Sequence, residues 1–213
     1  MKKRDKNQRK KRRKNFLITV SVLIIVIGGL IPLIPYLMRW NPKFGPPSLE
    51  FPFLNPDDVI WLRGYNLVEE GDAPSEYHTG VDLKIENSSI ILSPCTGTIG
   101  IISSTVHEIK GHIMISINIR INLSWSVMIV FEPYSNSTTV HEEQLSLINA
   151  KFGQRIEVGD ELGTLLNGGE FPHIHYTVRH FFKPVCPFNY SSTMAQATFL
   201  EVATRTNSTI CYP

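Results

Sequence analysis

Two short segments of this 213-residue chain hold the side chains best suited to chemistry: His78-Thr79-Gly80-Val81-Asp82, and His173-Ile174-His175 within FPHIHYTV. Side chains alternate between the faces of an extended strand. Extended backbone therefore places His78, Gly80 and Asp82 on one face of the first segment, and His173 and His175 on one face of the second. A glycine between two donors leaves room for an ion. Neutral imidazoles and a carboxylate suit Zn2+, and three protein ligands with one open position is the pattern of a catalytic zinc site. Taken singly, an H-x-H pair is also an ordinary surface or packing pair, and HTGVD also reads as a turn into a strand. Together, about 90 residues apart, they point to one metal centre.

The elements that must position these residues read as strands. His112–Asn122 (HIMISINIRIN) alternates Ile113, Ile115, Ile117, Ile119 and Ile121 with Met114, Ser116, Asn118 and Arg120, the period-two pattern of a half-buried strand. Trp125–Phe131 follows after a short polar break, and the two are expected to pair as a hairpin. Gly97–Ile102, Glu161–Leu166 and Ile174–Arg179 read as further strands. Gly153, Gly159 and Asp160 punctuate an expected hairpin in GQRIEVGDELG. His141–Asn149 is the one short helical stretch expected in this region. The class is mainly β, with antiparallel pairing.

The order EYHTGVDL, SPCTGTIGII, GQRIEVGDELG, PHIHYTV resembles the lysostaphin/LytM-type zinc metallopeptidases over about residues 60–190. The resemblance implies a duplicated β-hybrid domain that binds one zinc ion. It implies His78, Asp82 and His175 as metal ligands and His173 as a catalytic histidine. The implied reaction is metal-assisted amide hydrolysis, which in this family mostly cuts peptide cross-links of cell walls. The sequence departs from the family at one place. The second catalytic histidine, normally in a Y-x-H-L segment, is absent where this chain reads Val130-Phe131-Glu132-Pro133-Tyr134. Glu132 is the group positioned to accept a proton in its stead, and His141 is a second candidate. Glu132 also reads as a plain strand-end carboxylate and His141 as an exposed loop histidine. His107, His112 and His180 carry no motif and read as surface or packing residues.

The rest of the chain concerns location. Residues 1–15 carry ten basic side chains and one acidic, a charge of +9; residues 16–213 carry 11 basic and 18 acidic, a charge of −7. Phe16–Met38 contains no charge, and at about 1.5 Å per residue it matches a hydrocarbon core of about 30 Å. A basic flank before the span predicts a cytosolic N-terminus with everything after the span outside. Such a flank beside a bilayer reads as topology and lipid contact, and no nucleic-acid partner is expected. The expected organisation is thus a basic tail (1–15), a transmembrane anchor (16–38), a stalk with five prolines (39–56) and a metallopeptidase-like domain (57–213). Five N-x-S/T sequons, at Asn87, Asn122, Asn136, Asn189 and Asn207, all follow the span and are candidate glycosylation sites. Outside the cytosol Cys186 and Cys211 are able to pair, leaving Cys95 as a small buried residue. The expected function is an anchored, extracytoplasmic zinc endopeptidase acting on a peptide or surface polymer. A zinc-binding surface or regulatory module without turnover is the alternative, and an adhesin with no metal is a third reading.

Overall fold

The isoleucine alternation does what period two requires: Ile115, Ile117 and Ile119 are fully buried while Ser116 and Asn118 face the other way. The computed structural model describes residues 19–20, 45–67, 77–107 and 110–213. The chain divides into two units, Met1–Gly45 and Pro46–Pro213. Of the first, only the helical pair Thr19–Val20 and Gly45 are described, so the basic tail and the rest of the expected 16–38 span lie outside the described residues. Among the described residues no helix is long and apolar enough to cross a membrane.

Among the described residues of the second unit, ten strands and two α-helices follow in chain order. They are β1 (Val59–Arg63), β2 (Val81–Ile85), β3 (Ser89–Leu92), β4 (Gly97–Val106), β5 (Ile113–Arg120), β6 (Trp125–Glu132), α1 (Thr138–Ser146), β7 (Arg155–Ile156), β8 (Glu161–Leu165), β9 (His173–His180), β10 (Lys183–Val185) and α2 (Thr193–Thr206). The main sheet runs β1-β2-β9-β6-β5-β4-β7 with β10 on β9, and β3 pairs with β8 in a second, small sheet. Every pairing between strands is antiparallel.

Register sorts the main sheet into two faces, because residues paired across antiparallel strands share a face. One face carries the rows Leu62–Leu83–Ile174–Phe131–Ile115 and Val81–Tyr176–Ile129–Ile117. These are the core, packed with Leu49, Phe51, Phe53, Phe199 and Val202. Each such side chain, fully buried, contributes roughly 1.5–3 kcal/mol. The other face carries Arg63–Asp82–His175–Val130–Ser116, then Asn118–Met128–Thr177, then Arg120–Ser126–Arg179. One sheet therefore has a core face and a polar face, and the residues singled out for chemistry stand on the polar one.

Three expectations change. GQRIEVGDELG is not a hairpin: β7 pairs with β4 and β8 with β3, in different sheets. Gly159, at φ +86, makes the turn between them, and burial of Ile156 and Leu162 draws the two strands apart. The stalk does not reach Pro56, because Leu49, Phe51 and Phe53 are buried in the core and Leu49 N donates to Tyr190 O. The expected helix at His141–Asn149 begins earlier, at Thr138, and ends at Ser146.

A second helix, α2, lies beyond the expected elements. Its buried residues Ala195, Phe199, Val202 and Ala203 recur at helical spacing. Ser192 caps its start by accepting from Ala195 N at 3.1 Å. Asn207, at φ +50, ends it. Arg205 pairs with Asp57 at 2.6 Å and donates to the Val59 carbonyl, tying the helix to the start of β1. Cys186 and Cys211 form a disulfide. Asn87, Asn136, Asn189 and Asn207 are exposed, and Asn122 is half-buried with its side-chain oxygen accepting from Ser124 and Trp125.

Candidate metal and catalytic site

Strands β2 and β9 are paired so that Asp82 lies directly opposite His175, and their side chains meet at 2.7 Å between Oδ1 and Nδ1. His78 stands just before β2. Its Nδ1 lies 2.7 Å from the carbonyl of Gly64, at the end of β1. A carbonyl only accepts, so His78 Nδ1 carries the hydrogen and Nε2 keeps its lone pair. That Nε2 is 3.0 Å from Asp82 Oδ1 and 3.2 Å from His175 Nδ1. His175 Nε2 faces the Thr79 hydroxyl at 3.4 Å, which leaves Nδ1 for the cluster. Gly80 is required by this approach: a Cβ there would stand 2.6 Å from Tyr176 O and 2.8 Å from His175 Nε2.

The three donor atoms lie within 4.8 Å of one another. Two imidazole nitrogens with lone pairs directed inward and one carboxylate oxygen are a donor set that fits a divalent metal ion. Electrostatics agree. Burial alone would raise the Asp82 carboxyl, but its contacts with the His175 and His78 imidazoles outweigh it and hold it well below the usual range. Burial pulls His175 down, but the hydrogen bond and charge of Asp82 leave it raised overall. The cluster thus gathers one compact negative charge among imidazoles.

These residues line a cavity of about 380 Å³ together with His173, Glu132 and His112. His173 begins β9 and is paired across the sheet with Glu132, at the end of β6. Its Nδ1 lies 2.7 Å from the Phe171 carbonyl, so Nδ1 is the donor and Nε2 is directed at the site, 4.0 Å from Asp82 Oδ1 and 3.5 Å from Glu132 Oε2. Glu132 is only 7% exposed, which is rare for an unpaired carboxylate. Its partner is His112, whose Nε2 lies 2.7 Å from Oε2.

His112 is the cavity-lining residue that motif reading passes over. It precedes β5, is 4% exposed, and lines the cavity. The signal was present: the alternation that buries Ile115 and Ile117 puts His112 on the polar face with Met114 and Ser116. Tyr134, held at φ +60, packs its ring 4.6 Å from that of His112. His107 also lines the cavity, its basicity lowered first by partial burial and then by His112. His107 and His112 thus pack against one another, as expected, and also line the cavity of the metal cluster. His141 is elsewhere: it sits in α1 with Nε2 3.3 Å from Ser104 Oγ and does not line this cavity. His180 packs as expected, stacked on Trp125 at 4.3 Å.

No family model matches the sequence, and no curated protein matches it. Among solved structures the chain is similar to Helicobacter pylori Csd3, at 22% identity and TM-score 0.47, over 76% of this chain and 40% of that one. It is similar to a zinc-containing peptidase from Vibrio cholerae, at 17% identity and TM-score 0.45, over 66% of this chain and 39% of that one. It is also similar to the catalytic domain of the antimicrobial peptidase lysostaphin from Staphylococcus simulans, at 16% identity and TM-score 0.42, over 63% of this chain and 93% of that one. The chain thus spans well under half the length of the first two. Its resemblance to the lysostaphin/LytM-type zinc metallopeptidases rests on its own residues, since H-x-G-x-D at His78–Asp82 and H-x-H at His173–His175 meet in one cavity.

Proposed function

We propose that the chain is a zinc-dependent peptide hydrolase, anchored through residues 16–38 with its N-terminus in the cytosol and residues 46–213 outside. The observation that carries the reading is the meeting of His78, Asp82 and His175 with His173 and Glu132 in one solvent-open cavity. Bound zinc would supply a Lewis acid for the scissile carbonyl and a water of pKa about 7. The chain's own residues divide the remaining work. His78 Nε2, Asp82 Oδ1 and His175 Nδ1 hold the ion. His173, its Nδ1–H donated to the Phe171 carbonyl, directs the lone pair of Nε2 into the cavity, where it accepts from the attacking water and polarises it. Glu132 Oε2 accepts the proton of the attacking water and returns it to the leaving amine. His112 holds that carboxylate from the neighbouring chain segment. A positioned acid–base group of this kind is worth about 10²–10⁴ in rate.

The test is hydrolysis of glycine-rich peptides and peptidoglycan fragments by the zinc-loaded full chain and by His78→Ala. Turnover in the wild type, lost in the variant, is expected. Equal inertness of both, with zinc bound to the wild type, ends the hydrolase reading. The second reading, a metal-binding surface module without turnover, is favoured by one observation: Glu132 or Pro133 stands where the family carries a histidine.

A further inference from the structure

The cavity at the metal cluster does not end there. A second cavity, of about 680 Å³, lies along the same polar face and shares Ser116 and Met128 with the first. The two form one groove. At its far end the row Arg120–Ser126–Arg179 places two guanidinium groups on the strands that flank β6, both directed into the groove. Neither makes a hydrogen bond or ion pair within the described residues. Among the described residues no Asp or Glu lines this cavity, although residues 16–213 carry a net charge of −7. Two unneutralised cations two strands apart repel each other, and a single carboxylate between them relieves that repulsion and accepts from both.

The same end of the groove has an aromatic rim. Phe152 is 79% and Phe182 is 93% exposed. Phe181 and Phe182 form the two-residue connection between β9 and β10, and both have positive φ, +46 and +69. That conformation is the pattern of a type I′ turn, whose favoured residues are Asn and Gly. A bulky side chain there is an outlier, and such strain concentrates at ligand-binding places. In β9, Arg179 is four residues beyond His175, a span of about 13 Å at strand rise.

We infer that this end of the groove is a binding subsite for an extended peptide segment bearing a carboxylate next to an aromatic or other apolar side chain, about four residues from the metal cluster. The inference rests on the hydrolase reading only for its direction along the groove; the subsite contains none of the metal-holding residues.

Its test is calorimetric binding by the full chain, with a chelator present so that nothing is cut. The probes are a blocked octapeptide of glycine carrying one Glu-Phe pair and its Gln-Phe twin. The Glu peptide is expected to bind about tenfold more tightly, since both of its bonds are to charged donors. In the double variant Arg120→Gln/Arg179→Gln that preference should fall below about twofold. Phe181→Asn/Phe182→Gly, which suits the turn, should weaken both peptides alike while keeping the preference. Equal binding of the two peptides to the wild type overturns the subsite, whether or not the protein proves to be a hydrolase. So does tighter binding of a glycerol phosphate oligomer than of the Glu peptide. Charge-selective binding together with absent turnover keeps the subsite and ends the hydrolase reading instead.

Discussion

Glu132 is a buried carboxylate with an imidazole at 2.7 Å and another at 3.5 Å, and the two imidazoles have different surroundings. His173 faces the metal cluster. His112 does not, and its contribution is the place it gives to Glu132. Removing the charge of Glu132 and removing its holder should therefore differ. Glu132→Gln is expected to lower kcat by about 10²–10⁴ with KM and zinc content nearly unchanged. His112→Ala should lower kcat less, by about tenfold, because the carboxylate remains but loses one charge-assisted hydrogen bond. Steady-state kinetics with metal analysis checks both, and zinc lost from either variant counts against this division of roles. A second residue-scale prediction concerns pH. Without metal, His175 is raised above its usual value, so a proton competes with the ion for Nδ1. Asp82 is held low and stays ionised well into acid. The sign follows: the proton-bound form is favoured as pH falls through the His175 value, and metal binding must displace that proton. Apparent zinc affinity should be about tenfold or more weaker at pH 6 than at pH 8. An affinity that does not change between them removes His175 Nδ1 as a ligand.

At the scale of elements, what could be read in advance was what local spacing encodes. The alternation of Ile113 to Ile121 gives β5 and its buried face without any knowledge of neighbours. The same holds for β6 and β9, and the pairing of Asp82 with His175 then follows from two strands whose polar faces coincide. Partner choice was not readable. GQRIEVGDELG contains turn residues between two short strands, yet those strands pair with β4 and β3, because pairing is decided by long-range burial of Ile156, Leu162 and Leu165. Helix α2 is hard to read from sequence because its apolar positions stand among four threonines, and Val202 on its buried face is itself β-branched, residues of low helix propensity. The site shows the same division. The metal trio was legible from short motifs, whereas His112 reaches Glu132 across twenty residues of sequence with no motif to mark it. The turn between β9 and β10 yields a prediction at this scale. Phe182 at φ +69 is almost fully exposed, so little packing is lost on its removal. Phe182→Gly should stabilise the protein by about 1 kcal/mol, the cost of holding an ordinary residue in the left-handed region. Denaturant unfolding measures this, and a loss of stability would show that Phe182 is held by contacts absent from the folded chain alone.

At the scale of the whole molecule, charge and sulfur chemistry should report the same topology. The charge of +9 before the apolar segment predicts that residues 46–213 lie outside the cytosol, in an oxidising space. The disulfide is the structural counterpart. Cys186 and Cys211 close a loop with a sequence separation of 25 and hold the C-terminal strand-like segment, where Tyr65 pairs with Cys211 and Tyr212 N donates to Tyr65 O. A closure of that length is worth about 3.5 kcal/mol by the chain-entropy estimate. Cys95 gives the internal control: it is buried, and burial pushes its thiol up to about 12, so it is protected while the domain is folded. Rapid alkylation of intact cells, followed by mass analysis of the full chain, should find no modified cysteine in the native protein. It should find one after denaturation and three after denaturation with reduction. Replacing the ten basic residues of 1–15 by Gln removes the orienting charge and should convert part of the population to the fully reduced form, with Cys186 and Cys211 open to reagent. If Cys186 and Cys211 are already reduced in the unaltered chain, the domain faces the cytosol, and a wall or surface peptide is then out of reach of its groove.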